Sequence, residues 1–183
     1  MGFQLEDGKG SGIRASVSHN NRLNTDAVTE TEISFESEKN GMAFAWTSVT
    51  YDYAAGDTIL LVKNTSSTNH LIIQNINMTT DTATIAHIHI VRCPTPTGTA
   101  LTGVNLNSAS ANVAEATAKA DETSNTLATT GIIRTSALEA DKDNHILLEG
   151  SVILSTNDCI AIDYVTDGAA ATVTITGYYH QRG

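Results

Sequence analysis

The chain is poor in cysteine, proline and basic residues. Two cysteines and two prolines occur in 183 residues, and ten basic residues stand against twenty acidic ones, for a formal net charge of −10. Two cysteines do not build a disulfide framework, so a packed core must hold the fold, and the chain is long enough to bury one. Cys93 and Cys159 both lie in apolar runs, which predicts buried free thiols.

The shortage of Lys and Arg excludes two classes of partner. Proteins bind nucleic acid and anionic membranes largely through clustered cations, and this chain has no such cluster. It also has no apolar run near the roughly 20 residues that a membrane span needs, and its first residues lack the apolar segment of a secretory signal. We therefore predict that it binds neither nucleic acid nor membranes.

What the chain does contain is a series of short strand-like runs. They fill residues 41–183, follow period-two alternation, and are separated by Gly, Asn, Asp and Ser. In the clearest run, Val173, Ile175 and Tyr179 share one face and threonines occupy much of the other. Such runs at short spacing predict an all-β protein, an antiparallel β-sandwich or jelly roll.

Two segments depart from this pattern. Residues 1–40 contain too little apolar surface to fold alone, and we interpret them as an N-terminal arm that is extended as far as residue 35 and contains a short hairpin. Residues 94–143 are rich in Ala, Thr, Ser and Asn and form a long excursion from the 41–183 domain. Within the excursion we predict a helical turn over 111–120 and a strand over 126–136, and the segment as a whole is either a subunit contact or a surface loop.

The stretch "IAHIHIVRC", residues 85–93, is the part of the chain that most resembles a catalytic or metal-binding site. Side chains two apart in a strand share a face, so His87 and His89 point the same way. The opposite face, with Ala86, Ile88 and Ile90, is apolar and should face the core. The two imidazoles are therefore expected to face solvent or a neighbouring subunit.

The alternative to that interpretation is a metal site on this strand. A cupin holds its metal with a His-x-His pair, but its motif also requires a glycine and a glutamate where this chain has Asp81 and Cys93 or Pro94. One ion can reach His87 and His89, while Cys93 lies roughly 20 Å along the strand from His87. We predict no metal and no cofactor; if an ion binds, His87 and His89 are the candidates, and a cupin-like metal-binding enzyme is the corresponding function.

Other catalytic patterns are missing from the chain. It has no ordered nucleophile triad, phosphate loop or paired-cysteine motif, so we predict that it is not an enzyme. Most aspartates fall in predicted turns, and Asp163, in the middle of "CIAIDYV", is expected to face outward. Trp46 and the tyrosines offer a sugar-binding platform, although core packing explains them more economically.

Several stretches together resemble small structural proteins of tailed bacteriophages. They are "LEDGKGSGIRASVSHNNRL", "AVTETE", "GDTILLVKNTS", "TGVNLNSASANVAEATA" and "ATVTITGYYH", and the most specific are the arm and Val104–Asn107. The resemblance implies a virion component made in the host cytoplasm, a jelly roll with an arm, often a trimer, that binds the major capsid protein or other virion proteins. We predict an oligomeric decoration protein on the outside of the head; the alternative is a tail or baseplate component that binds a host glycan.

Overall fold

The structure is a computed structural model, and its contacts divide the chain into two units. The residues that it describes are 16–17, 23–24, 31–92, 95–122 and 131–181. The first unit, Met1–Thr31, contains β1 (Ser16–Val17) and β2 (Leu23–Asn24), which pair antiparallel. The second unit, Glu32–Gly183, contains the β-sheets discussed below.

Strands are the main secondary structure in the described part of the second unit. A short helix, α1 (Glu32–Phe35), continues as a π-helical turn over Glu36–Asn40. The strands are β3 (Ala43–Thr47), β4 (Tyr51–Tyr53), β5 (Thr58–Asn64), β6 (Asn69–Thr80), β7 (Thr84–Arg92), β8 (Thr99–Leu101), β9 (Val104–Asn105), β10 (Ala116–Glu122), β11 (Ile132–Leu138), β12 (Asn144–Leu154), β13 (Asp158–Tyr164) and β14 (Gly168–Gln181).

These strands form two antiparallel sheets. Sheet A has the order β11-β7-β13-β5-β10-β8, and sheet B has the order β12-β6-β14-β3-β9, with β4 also pairing with β14. One core cluster takes buried side chains from both sheets, among them Trp46, Leu60, Ile76, Ile88, Ile162 and Ile175. The predicted all-β antiparallel sandwich is therefore confirmed.

The period-two pattern of β14 correctly identified its inner face. Val173, Ile175 and Tyr179 are buried in the core, where Tyr179 meets Phe44 edge-on with ring centroids 5.7 Å apart. A register shift in the pairing with β6 falls between Thr176 and Gly177. A Cβ at Gly177 would lie 2.5 Å from the carbonyl oxygen of Ile72, so only glycine allows the two strands to approach here.

One of the two local predictions for the excursion is wrong. The expected helical turn over 111–120 is replaced at its end by β10, which pairs with β5 and β8 and buries Ala118 and Ala120. The helix propensity of this Ala-rich segment is overridden because alternate alanines pack against the core. The predicted strand over 126–136 is found as β11, with residues 123–130 outside the described range.

The segment before β3 was predicted to be extended, but it is helical. The helical stretch ends where Gly41 takes a left-handed conformation, with φ of 59°. The backbone N–H of Gly41 donates to Ser37 and that of Met42 donates to Glu36, so two carbonyls at the helix end are satisfied. In the described residues no helix has the length and apolar character that crossing a bilayer requires.

Two tyrosines should resist ionisation while the sandwich is folded. Burial is the main cause that raises the pKa of Tyr164 and of Tyr179 well above the usual value of about 10. The unfolded chain releases these protons near pH 10 and the folded chain retains them, so the free energy of unfolding should fall as pH rises above 10. We expect absorbance titration of the native protein to detect at most three of the five tyrosinates before unfolding, and all five in guanidinium. Five ionisations in a still-folded protein would contradict the packing described here.

Candidate functional site

Strand register brings three potential metal ligands together on one face of sheet A. His87 and His89 lie two residues apart on β7, so their side chains share a face. On the neighbouring strand β13, Asp163 is directly opposite His87, and Ala161 is opposite His89. Asp163 is thus the cross-strand partner of one histidine and the diagonal neighbour of the other, which are the closest positions that adjacent strands offer.

The carboxylate of Asp163 contacts both imidazoles. Nε2 of His89 donates a hydrogen bond to Oδ1 of Asp163 over 2.8 Å, and Nδ1 of His87 lies 3.6 Å from the same oxygen. The two rings are nearly perpendicular, with centroids 5.9 Å apart. One ligand atom from each residue lies within 4.8 Å of the other two, and no other such group of three occurs among the described residues.

The cluster of His87, His89 and Asp163 is more deeply buried than expected, because the alternation in β7 predicts that both histidines lie on an exposed face. Ala86 and Ile88 lie in the core as expected, but the side chain of His89 is fully buried, and those of Asp163 and His87 are only 6% and 24% exposed. The expectation that the imidazoles face solvent or a neighbour is therefore wrong for His89. Asp163 lies on the face of β13 away from the core, as expected, but it is buried there and not exposed. His87 is the member of the cluster that is most accessible to solvent.

The cluster is buried because the outer face of sheet A is itself covered at its centre. Leu61, Cys159 and Ala161 are fully buried there and form a second apolar cluster, against which Val91 packs. Cys159 is buried, as the sequence predicts; Cys93 lies outside the described residues. With apolar groups on both faces, β13 provides a low-dielectric surrounding for Asp163.

The other residues considered from the sequence have structural roles. Asp57 and Asp167 accept hydrogen bonds from the backbone N–H groups of Ala54 and Ala55, as expected of turn aspartates. Trp46 is fully buried, which excludes it from a sugar-binding platform and leaves core packing as its role. The side chain of Tyr51 lies outside the described residues.

A second feature is the stretch Val104–Asn107, which we call the VNLN edge. Its asparagines point inward: Nδ2 of Asn105 donates to the carbonyl oxygen of Gly41 over 2.9 Å, and Nδ2 of Asn107 donates to that of Ser37 over 3.0 Å. Its apolar side chains point outward, with Val104 66% and Leu106 46% exposed. The usual arrangement of apolar residues inside and polar residues outside is therefore reversed.

The structure also has two open depressions. A polar cleft of about 350 Å³ is lined by Thr50, Thr79, Thr80, Asp81, Asp141, Lys142, Asp143, Ala170, Ala171 and Thr172. A wider groove of about 520 Å³ lies beside the VNLN edge, between Leu106 and the helical residues Ile33 and Ser37. The groove borders the VNLN edge at Leu106, and most of its lining is polar, including the exposed carboxylate of Glu38.

Comparison of the chain with protein-family models, curated proteins and solved structures finds no match.

The His89–Asp163 pair should contribute to stability in metal-free protein. Replacing Asp163 with Ala leaves the buried Nε2 of His89 without its carboxylate acceptor, at a cost of about 1–3 kcal/mol. Asp163→Asn retains an acceptor oxygen of similar shape and should cost less, while His87→Ala should cost least because His87 is partly exposed and farther from the carboxylate. Urea unfolding in the presence of a chelator measures all three. If Asp163→Ala is as stable as the unmodified protein, the pair is not a stabilising interaction.

Proposed function

We propose that this protein is a structural component of a bacteriophage virion, a homo-oligomer, expected to be a trimer, that decorates the outside of the capsid. The observation that carries the proposal is the VNLN edge, because it is one of the two most specific parts of the resemblance and it exposes apolar side chains on an ordered loop. The proposed partner of this surface is a second copy of the chain.

Hydrogen bonds hold the VNLN edge in place before any partner binds. Besides the bonds to Ser37 and Gly41, Asn105 donates to the carbonyl oxygen of Asn112, and Oδ1 of Asn107 accepts from the backbone N–H of Ala109. Because these bonds fix the loop in the folded monomer, association does not have to order it again. A preorganised surface gains affinity for this reason.

The outward side chains of this region are apolar and neighbour one another in sequence. Val113 is 78% exposed and follows the loop that Asn112 closes by donating to the carbonyl oxygen of Asn40. Together with Val104 and Leu106 it presents aliphatic groups that gain free energy only when another surface covers them. Exposed apolar groups on a rigid loop favour an interaction surface over a freely solvated one.

The distribution of charge favours a second copy as that partner. The chain has a net charge of −10, yet no charged residue occurs between Arg92 and Glu115. Two identical acidic chains repel each other wherever their carboxylates meet, so self-association needs a surface without them. The VNLN edge and Val113 lie within this uncharged stretch.

We further propose that the second unit is a modified jelly roll. In that fold a first run of strands pairs in reverse order with a last run. Here β5 pairs with β13, β6 with β12, and β7 with β11, which supports this winding. The fold differs from a regular roll in that β14 adds to β6 on the side away from β12, and β10 adds to β5.

A charge placed on the VNLN edge should disrupt the oligomer. Light scattering coupled to size-exclusion chromatography is expected to give three chain masses for the unmodified protein and a lower mass for Leu106→Asp, because the buried carboxylate would lack a partner. Leu147→Asp is the matched control, since Leu147 is similarly exposed but lies on β12 at the opposite edge of sheet B. An unmodified protein that is monomeric at every concentration contradicts the proposal, as does a Leu106→Asp variant with unchanged mass.

The position on the virion requires a separate measurement. Electron microscopy of intact particles with labelled protein should show label over the surface of the head. Label confined to the tail or baseplate would contradict capsid decoration and favour the alternative of a host-binding component.

A further inference from the structure

We propose that His87, His89 and Asp163 bind one divalent transition-metal ion, of the kind that imidazole and carboxylate donors share, such as Zn²⁺ or Fe²⁺. This site goes beyond the proposed role in assembly and does not depend on it. From the sequence the site lacked a third ligand, because Cys93 was too far along the strand. The strand register supplies that ligand from β13, 74 residues beyond His89.

The three donor atoms lie within 4.8 Å of one another, close enough to converge on a single ion. Zinc takes nitrogen and oxygen ligands at about 2.0–2.2 Å, so two donors on the same ion lie about 3–3.5 Å apart. Nδ1 of His87 is 3.6 Å from Oδ1 of Asp163, and Nε2 of His89 is 2.8 Å from it. Small side-chain rotations would place the three donors around one ion without any change in strand pairing.

The buried carboxylate supplies an electrostatic reason for a cation at this position. A carboxylate removed from water is costly unless a positive charge or several hydrogen bonds compensate it. Among the described residues, only His87 and His89 form ion pairs with Asp163, and neither carries the permanent charge of Lys or Arg. By contrast Asp158, at the other end of β13, lies 3.7 Å from the guanidinium of Arg92. A divalent ion would add a permanent positive charge beside Asp163, which the two imidazoles do not supply.

The donor set also selects the class of metal. Two imidazoles with one carboxylate suit zinc and the later first-row divalent ions, whereas Ca²⁺ and Mg²⁺ prefer sites built from oxygen alone. Three protein donors leave at least one coordination position for water or another small ligand. The partly exposed edge of His87 is the side from which the ion and that ligand would enter.

Cobalt and zinc titrations test the site directly. Protein treated with EDTA and dialysed into metal-free buffer is titrated with Co²⁺, and the visible d–d absorption of bound cobalt is followed. One equivalent of Co²⁺ should bind and be displaced by Zn²⁺, and elemental analysis after gel filtration should find one zinc per chain. The free energy of unfolding should rise with zinc, since the ion binds the folded state.

Three variants distinguish this site from adventitious binding. His87→Ala should weaken zinc binding by more than about 100-fold while leaving the buried pair of His89 and Asp163 intact. Asp163→Asn should also weaken it, because the amide keeps the shape of the carboxylate but not its charge. His145→Ala, an exposed histidine on β12, is the matched control and should bind like the unmodified protein. No stoichiometric metal in the unmodified protein, or unchanged affinity in His87→Ala, overturns the proposal.

Discussion

The burial of β13 on both of its faces is the constraint on which the rest of this structure depends. Toward sheet B, Ile160, Ile162 and Tyr164 fill the core; on the other face, Cys159 and Ala161 are covered as well. An ionisable group in such a strand has little access to water. Asp163 therefore has to find its partners within sheet A, and the neighbouring strand β7 provides them.

The same constraint explains why β7 carries histidines rather than larger cations. Imidazole is compact and partly apolar, and in its neutral form it can enter a buried layer and still donate a hydrogen bond. The pair His89–Asp163 satisfies two polar groups at once, while the apolar side chains Ile88 and Ile90 continue the core on the opposite face. His87 then completes the cluster at its edge, where its side chain is partly exposed. The polar layer thus interrupts the outer face of sheet A without interrupting the core.

The sequence predicted those features that depend on local pattern. The all-β class, the inner face of β14 and the shared face of His87 and His89 follow from period-two alternation and are present. The contact of Asp163 with His87 could not be predicted, because it depends on which strands are neighbours and in what register, and this is decided by packing far along the chain. The strand β10 was missed for a similar reason, since only its pairing with β5 explains why an Ala-rich segment is extended.

The VNLN edge is a second case in which the sequence pattern does not predict which face of a strand is buried. Alternation identifies two faces of a strand, and by default the apolar one is assigned to the core. Here the asparagines form the inner face, because Asn105 and Asn107 donate hydrogen bonds to the carbonyl oxygens of Gly41 and Ser37 at the helix end. Val104 and Leu106 are left outside as a consequence.

The two proposed sites therefore place polar and apolar side chains in opposite ways. The metal site comes from polar side chains enclosed within sheet A, and the assembly surface comes from apolar side chains held outside sheet B. They use different sheets and share no residue, so a substitution in one should change the free energy of the other very little. A metal ion bound by His87, His89 and Asp163 would stabilise the fold of each subunit, while contact between subunits would be decided at the VNLN edge.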